Sequence, residues 1–156
     1  MVQWNNPVTT KLGVELLSVA ERLSRLVQRR GSRILPLAQA RLLAAIAEHG
    51  GARISELAAF DLSKQPSISR LVRDIEEVGM VTRSVDPGDG RAALITITPH
   101  GRSILFEIRR DQGAAVAPLV SNLSTEDRAT LAEAVIILDR LLGIARSAPA
   151  LDTPSG

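Results

Sequence analysis

The chain has 156 residues, 45% of them hydrophobic, with a formal net charge of only +2, which is enough for one domain with a core of its own. Cysteine is absent, which excludes disulfides, thiolate metal sites, cysteine nucleophiles and thiol redox sensing. No apolar run approaches the ~20 residues a membrane span needs, since Asp139 and Arg140 interrupt the Ala134 to Leu142 stretch, so the chain reads as soluble, unexported and cytoplasmic.

From about Val8 to Arg29, Leu12, Leu16, Val19, Leu23, Leu26 and Val27 recur at helical spacing, and Gly31-Ser32 ends the run. A second helix begins near Pro36 with Leu37, Ala40, Leu43, Ala44 and Ala47 on one side, and His49-Gly50-Gly51 stops it. A short helix follows over Ile54 to Phe60, with Ile54, Leu57 and Ala58 facing inward. After a break at Asp61-Leu62-Ser63, a fourth helix runs from Gln65 to Val78, with Pro66 in its first turn and Ile68, Leu71, Val72 and Ile75 inward. The third and fourth helices form a candidate helix-turn-helix.

Two short β-branched runs come next, Val81 to Val85 and Ala93 to Thr98, separated by the dense turn signal Asp86-Pro87-Gly88-Asp89-Gly90. Thr98-Pro99 reads as the N-cap and first turn of another helix, which extends toward Val120 with a bend or fray near Gly113 and Pro118. Ser124 caps a final helix with an acid three residues on, and Leu131, Val135, Leu138, Leu141 and Leu142 form its stripe to about Ala145. The expected organisation is a dimerisation helix over 1–35, a winged helix-turn-helix over 36–101, dimerisation helices over 102–146 and a disordered tail over 147–156. The fold class is mainly α with a small β-hairpin wing.

The cations are 17 Arg and 2 Lys, and arginine's planar fork suits phosphates and guanine edges. A high-GC codon bias enriches arginine too, so position decides. Trp4, Phe60 and Phe106 are the only aromatics, too few for a platform that stacks single-stranded bases. The Gln65 to Val78 helix offers Lys64, Gln65, Ser67, Ser69, Arg70 and Arg73 at its N-terminal turn and outer face, where a groove-reading helix meets DNA. Arg70 and Arg73, three apart, share a face, while Asp74, Glu76 and Glu77 cluster at the far end. An ordinary solvated amphipathic helix offers the same pattern. The hairpin adds Arg83 on its first strand and Arg91 at its tip, where an arginine can enter a narrow minor groove with Asp89 holding the guanidinium.

The residues Glu56-Leu57-Ala58, Gln65-Pro66-Ser67-Ile68-Ser69-Arg70-Leu71-Val72, Gly79-Met80-Val81, Asp86-Pro87-Gly88-Asp89-Gly90-Arg91, Leu94 to Thr98 and Gly101 together resemble the MarR (multiple-antibiotic-resistance regulator) family. The resemblance implies a homodimer with intertwined terminal helices that reads a palindromic operator in double-stranded DNA. It implies that Ser67, Ser69, Arg70 and Arg73 meet the major groove and its phosphates, and that Arg91, oriented by Asp89, enters the minor groove. It also implies a small, often aromatic or phenolic, anionic effector that releases DNA. The chain departs from the family pattern near Asp61-Leu62 and in ending the wing strand Ile-Thr, and it lacks the tyrosines that commonly line the effector pocket.

A winged module of about 65 residues closes its own small core, which leaves the terminal stripes uncovered. Leu12, Leu16, Leu23 and Val27 at one end, with Leu131, Val135, Leu138 and Leu142 at the other, are positioned to bury one another across a two-fold axis. His49 and His100 sit in different elements, and no phosphate loop or catalytic triad pattern appears, so no enzyme, metal or cofactor is expected. The expected function is a transcriptional regulator, in the first instance a repressor. The alternative is a winged module that binds protein rather than DNA.

Overall fold

The computed structural model describes residues 6–30, 34–60, 65–86 and 88–147. Trp4, Gly31-Ser32, the break at Asp61-Leu62-Ser63, Lys64, Pro87 and the expected tail from residue 148 onward lie outside the described residues. In chain order the elements are α1 (Pro7–Arg30), α2 (Leu37–His49), β1 (Ala52–Arg53), α3 (Ile54–Phe60), α4 (Gln65–Glu77), β2 (Val81–Asp86), β3 (Asp89–Ile97), α5 (Pro99–Ser121) and α6 (Thr125–Ser147). The chain divides into two compact units, Met1–Ala115 and Val116–Gly156.

In the first unit the core is drawn from α2, α3, α4, the sheet and the first part of α5. Leu43, Ile46, Leu57, Ile68, Val72, Ile75 and Ile95 are its most deeply buried large side chains. The spacing predicts Ile68, Val72 and Ile75 inward on α4, and all three are buried, with Leu71 packed against them. On α2 Leu43 is buried and Ala44 and Ala47 pack against the core as the spacing predicts, but Leu42 and Ile46 are buried as well and Leu37 is exposed. Alanines and leucines surround this helix on nearly every side, so its apolar face has no sharp edge to read.

Gly50 follows α2 with φ 70°, the left-handed conformation that ends a helix at little cost to glycine. Gly79, with φ 71°, closes α4 in the same manner. Its N–H donates to the Glu76 carbonyl and that of Met80 to the Ile75 carbonyl, the paired bonds of a Schellman motif.

The sheet has three antiparallel strands in the order β1-β3-β2. Its edge strand β1, absent from the periodicity reading, pairs Ala52 with Ile95 and Arg53 with Leu94. Two residues carry no readable alternation, and only tertiary pairing makes them a strand. β2 and β3 pair in regular register from Val81↔Ile97 to Val85↔Ala93, then shift so that Asp86 meets Asp89. The strands therefore continue into the segment where composition predicts a five-residue turn.

A tight corner joins β3 to α5. Thr98 Oγ1 accepts the N–H of Gly101 at 3.0 Å, as an N-cap does, and donates to the carbonyls of Gly79 and Met80. A Cβ on Gly101 would overlap the Met80 carbonyl oxygen and press on Ile97, so only glycine fits here. The helix α5 continues past Gly113 and Pro118 to Ser121, so it does not fray where the spacing predicts a bend or fray. In the second unit Ser124 caps α6: its Oγ accepts the Asp127 N–H at 3.0 Å and donates to Asp127 Oδ2 at 2.7 Å.

Candidate nucleic-acid interface

Burial of Ile68, Val72 and Ile75 fixes the orientation of α4 and turns the opposite face to solvent. Gln65, Ser67, Arg70 and Arg73 are exposed there and Ser69 is half-buried. Arg70 and Arg73 make no ion pair among the described residues, so their guanidinium donors are available to an outside anion. The 13 residues of α4 span roughly 20 Å at 1.5 Å per residue, a length that lies along several base steps of a major groove. Of the carboxylates at its C-terminal end, Glu76 is neutralised by Arg83 of β2, with Oε2 2.8 Å from Nε.

That ion pair revises the expectation for Arg83. Its side chain leans back onto α4 and spends one of its donors inside the fold. Arg91, expected on the turn at the tip, belongs to β3 instead. Between the pairs Val85↔Ala93 and Asp86↔Asp89, β3 carries Gly90, Arg91 and Ala92 opposite no residue of β2. The backbone of Arg91 thus lies at an irregularity of the ribbon, where the regular pairing of β2 and β3 is interrupted. The side chains of Asp89 and Arg91 lie outside the described residues, as does all of Lys64.

Two residues that the spacing does not single out complete the region. Arg53, the last residue of β1 before α3, places Nε 2.6 Å from Asp86 Oδ2, and Asp86 Oδ1 accepts the N–H of Gly88 at 2.7 Å. The Asp-Pro-Gly sequence signals that side-chain turn. Nothing in it signals a partner 33 residues away. Beside this pair a cleft of about 330 Å³ is lined by Arg53, Ile54, Ser55, Gln65, Ala92 and Ala93, where the start of α4 meets the wing.

A second cleft of about 820 Å³ lies between α1 and α2, lined by Leu23, Arg25, Val27, Leu37, Arg41 and Gln112 among others. His49 Nδ1–H donates to the Ala45 carbonyl at 2.8 Å, a helix-end role, while His100 is exposed in the first turn of α5. Among the described residues no group of His, Asp and Glu is arranged to hold a metal, and no helix is long and apolar enough to cross a membrane.

The stripes expected to mediate dimerisation are open within each unit. On α1, Leu12 and Leu23 are exposed and Leu16 and Val27 half-buried; on α6, Leu131, Val135 and Leu142 are exposed and Leu138 half-buried. The exposure extends beyond the expected positions, to Leu17 on α1 and to Ile136, Ile137 and Ile144 on α6.

Comparison with known proteins places this geometry. Residues 35–92, which hold α2, α3, α4 and most of the wing, match the sequence profile of the MarR family. An uncharacterised HTH-type transcriptional regulator of Mycobacterium bovis is 26% identical over 140 residues, covering 89% of this chain and 96% of its own length. The crystal structure of a transcriptional regulator from Thermotoga maritima superposes with a TM-score of 0.66 at 21% identity, over 86% of this chain and 99% of that one. A MarR mutant from E. coli, crystallised with operator DNA, does so with a TM-score of 0.55 at 22% identity, over 82% and 93% of the two chains.

Proposed function

We propose that this chain, which belongs to the MarR family, is a transcriptional regulator that binds a specific double-stranded DNA operator as a homodimer. The observation that carries the reading is the outer face of α4, where Arg70 and Arg73 stand exposed, with no ion pair among the described residues, opposite a buried Ile68, Val72 and Ile75. In this reading Gln65, Ser67, Ser69, Arg70 and Arg73, with Lys64 just ahead of them, meet the bases and phosphates of a major groove. The wing enters the neighbouring minor groove through Arg91, which Asp89 orients. Arg83 has the lesser part, since Glu76 already holds it.

The exposed apolar residues of α1 and α6 support pairing of two copies. Two-fold pairing sets the two recognition helices about one DNA turn apart, or a multiple of it, and calls for a palindromic operator. Bound over a promoter, such a dimer blocks transcription, and no segment suited to activation is visible, so we assign repression. The assignment includes no catalysis and a cytoplasmic location. The α1–α2 cleft has an apolar wall from Leu23, Val27 and Leu37, with the Arg25–Glu21 ion pair and Arg41 at its polar side, and we assign it to a small effector whose binding releases DNA.

The test is binding to a duplex of about 30 bp, enriched by the protein from a random pool and long enough for two half-sites. Affinity is expected to fall about 10³–10⁵-fold between roughly 50 and 200 mM salt, the signature of 6–10 neutralised phosphates. Arg73→Ala should weaken binding by about 1–3 kcal/mol, read as the shift in Kd. No enrichment, or salt-insensitive binding that survives Arg70→Ala and Arg73→Ala together, would overturn the assignment in favour of a protein-binding winged module.

A further inference from the structure

The regular part of the backbone ladder ends short of the wing tip, where only the shifted pair Asp86↔Asp89 remains. Beyond Val85↔Ala93 the register shifts, and a two-stranded ribbon past its last regular pair has little of its own to set its angle. Side chains take over at that point. Asp86 uses one carboxylate oxygen to hold the tip backbone at Gly88 and the other to grip Arg53. The Asp86 side chain is 12% exposed and that of Arg53 37%, so this short charge-assisted bond is shielded from water on the carboxylate side only. Arg53 is itself anchored twice. It pairs with Leu94 in the sheet, and its backbone N–H donates to Glu56 Oε2 of α3 at 2.7 Å. A continuous line of bonds therefore runs from α3, which packs on α4, through Arg53 and Asp86 to the wing tip.

We propose that Arg53 is a positioning residue for DNA binding: through Asp86 it fixes the wing tip relative to α4, so that one rigid body presents both DNA-contacting elements at the spacing of adjacent grooves. The inference rests on the DNA-binding reading above. It is distinct from a direct phosphate contact by Arg53, and the two differ in sign at Asp86. Removing a carboxylate close to DNA strengthens binding if charge alone matters. If Asp86 holds the wing for its partner, the same change weakens it.

The experiment measures fluorescence anisotropy of the labelled, pool-enriched duplex with the full-length protein and four variants, alongside their melting temperatures. Arg53→Gln and Asp86→Asn are each expected to weaken binding about tenfold, and the double variant no further than either single one, because both cut the same bond. Arg53→Lys, which keeps a cation within reach of Asp86, should recover most of the loss. Neither residue belongs to the hydrophobic core, so melting temperatures should fall by only a few degrees, with the protein fully folded at the temperature of the binding measurement. Unchanged or tighter binding by Asp86→Asn, additive losses in the double variant, or losses that come from unfolding at that temperature would each overturn the proposal. If the parent enriches no duplex, the DNA-binding assignment fails instead.

Discussion

Ile75 of α4 and Ile137 of α6 are the same side chain on two helices, yet the first is fully buried and the second 61% exposed. The contrast holds along both elements. α4 turns each of its isoleucines and Val72 into the core of the first unit, whereas α6 leaves Val135, Ile136, Leu141, Leu142 and Ile144 in contact with solvent. A helix that is apolar over much of its circumference is stable in water only when something covers it. The comparison separates two kinds of stability. The winged region draws its own from within one chain, while α1 and α6 depend on what lies against them, in our assignment a second copy.

Substitutions can break or sharpen that contrast. The largest effect should come from Gly101→Ala, where the added methyl meets backbone that cannot rotate away; a loss of about 4 kcal/mol by denaturant unfolding is expected, whatever the protein concentration. Ile75→Ala should cost about 3 kcal/mol by creating a cavity, also independent of concentration. Val135→Glu combined with Leu142→Glu should act differently. The parent's stability is expected to rise by about 1.4 kcal/mol for each tenfold increase in concentration, and the doubly charged variant should lose that dependence and sediment as a monomer. Concentration-independent melting of the parent would erase the distinction between the two regions. The smallest effect, about 1 kcal/mol, is expected from Ser124→Ala, which removes the α6 cap without touching either apolar face.

How much of this could be read from the residues alone depends on the range of the interaction. α3 and α4, the glycine stop after α2 and the caps at Thr98 and Ser124 are local, decided within a turn or two of chain, and the structure has them where the spacing puts them. The inward face of α2 was blurred because Leu37 and Leu42 are equally apolar, and only the neighbours of the folded helix choose between them. β1 is a strand solely because β3 lies beside it. At the candidate site, Arg70 and Arg73 follow from helical periodicity. The Arg83–Glu76 and Arg53–Asp86 pairs do not, since nothing in a list of charged residues says which fold back onto the protein and which remain for a ligand.

The corner at Gly101 carries a consequence for how this chain can vary. Every missense change in a glycine codon brings a Cβ, and the atom it would strike is a carbonyl oxygen of Met80, which no exchange of side chain at position 80 can remove. A compensating second mutation in the immediate neighbourhood is therefore closed off, because the obstacle is main chain. Thr98 ties the same carbonyl to the start of α5, so the backbone there is not free to retreat. Drift can rework the outer face of α4 and the α1–α2 cleft one residue at a time, but it must pass around this joint and not through it.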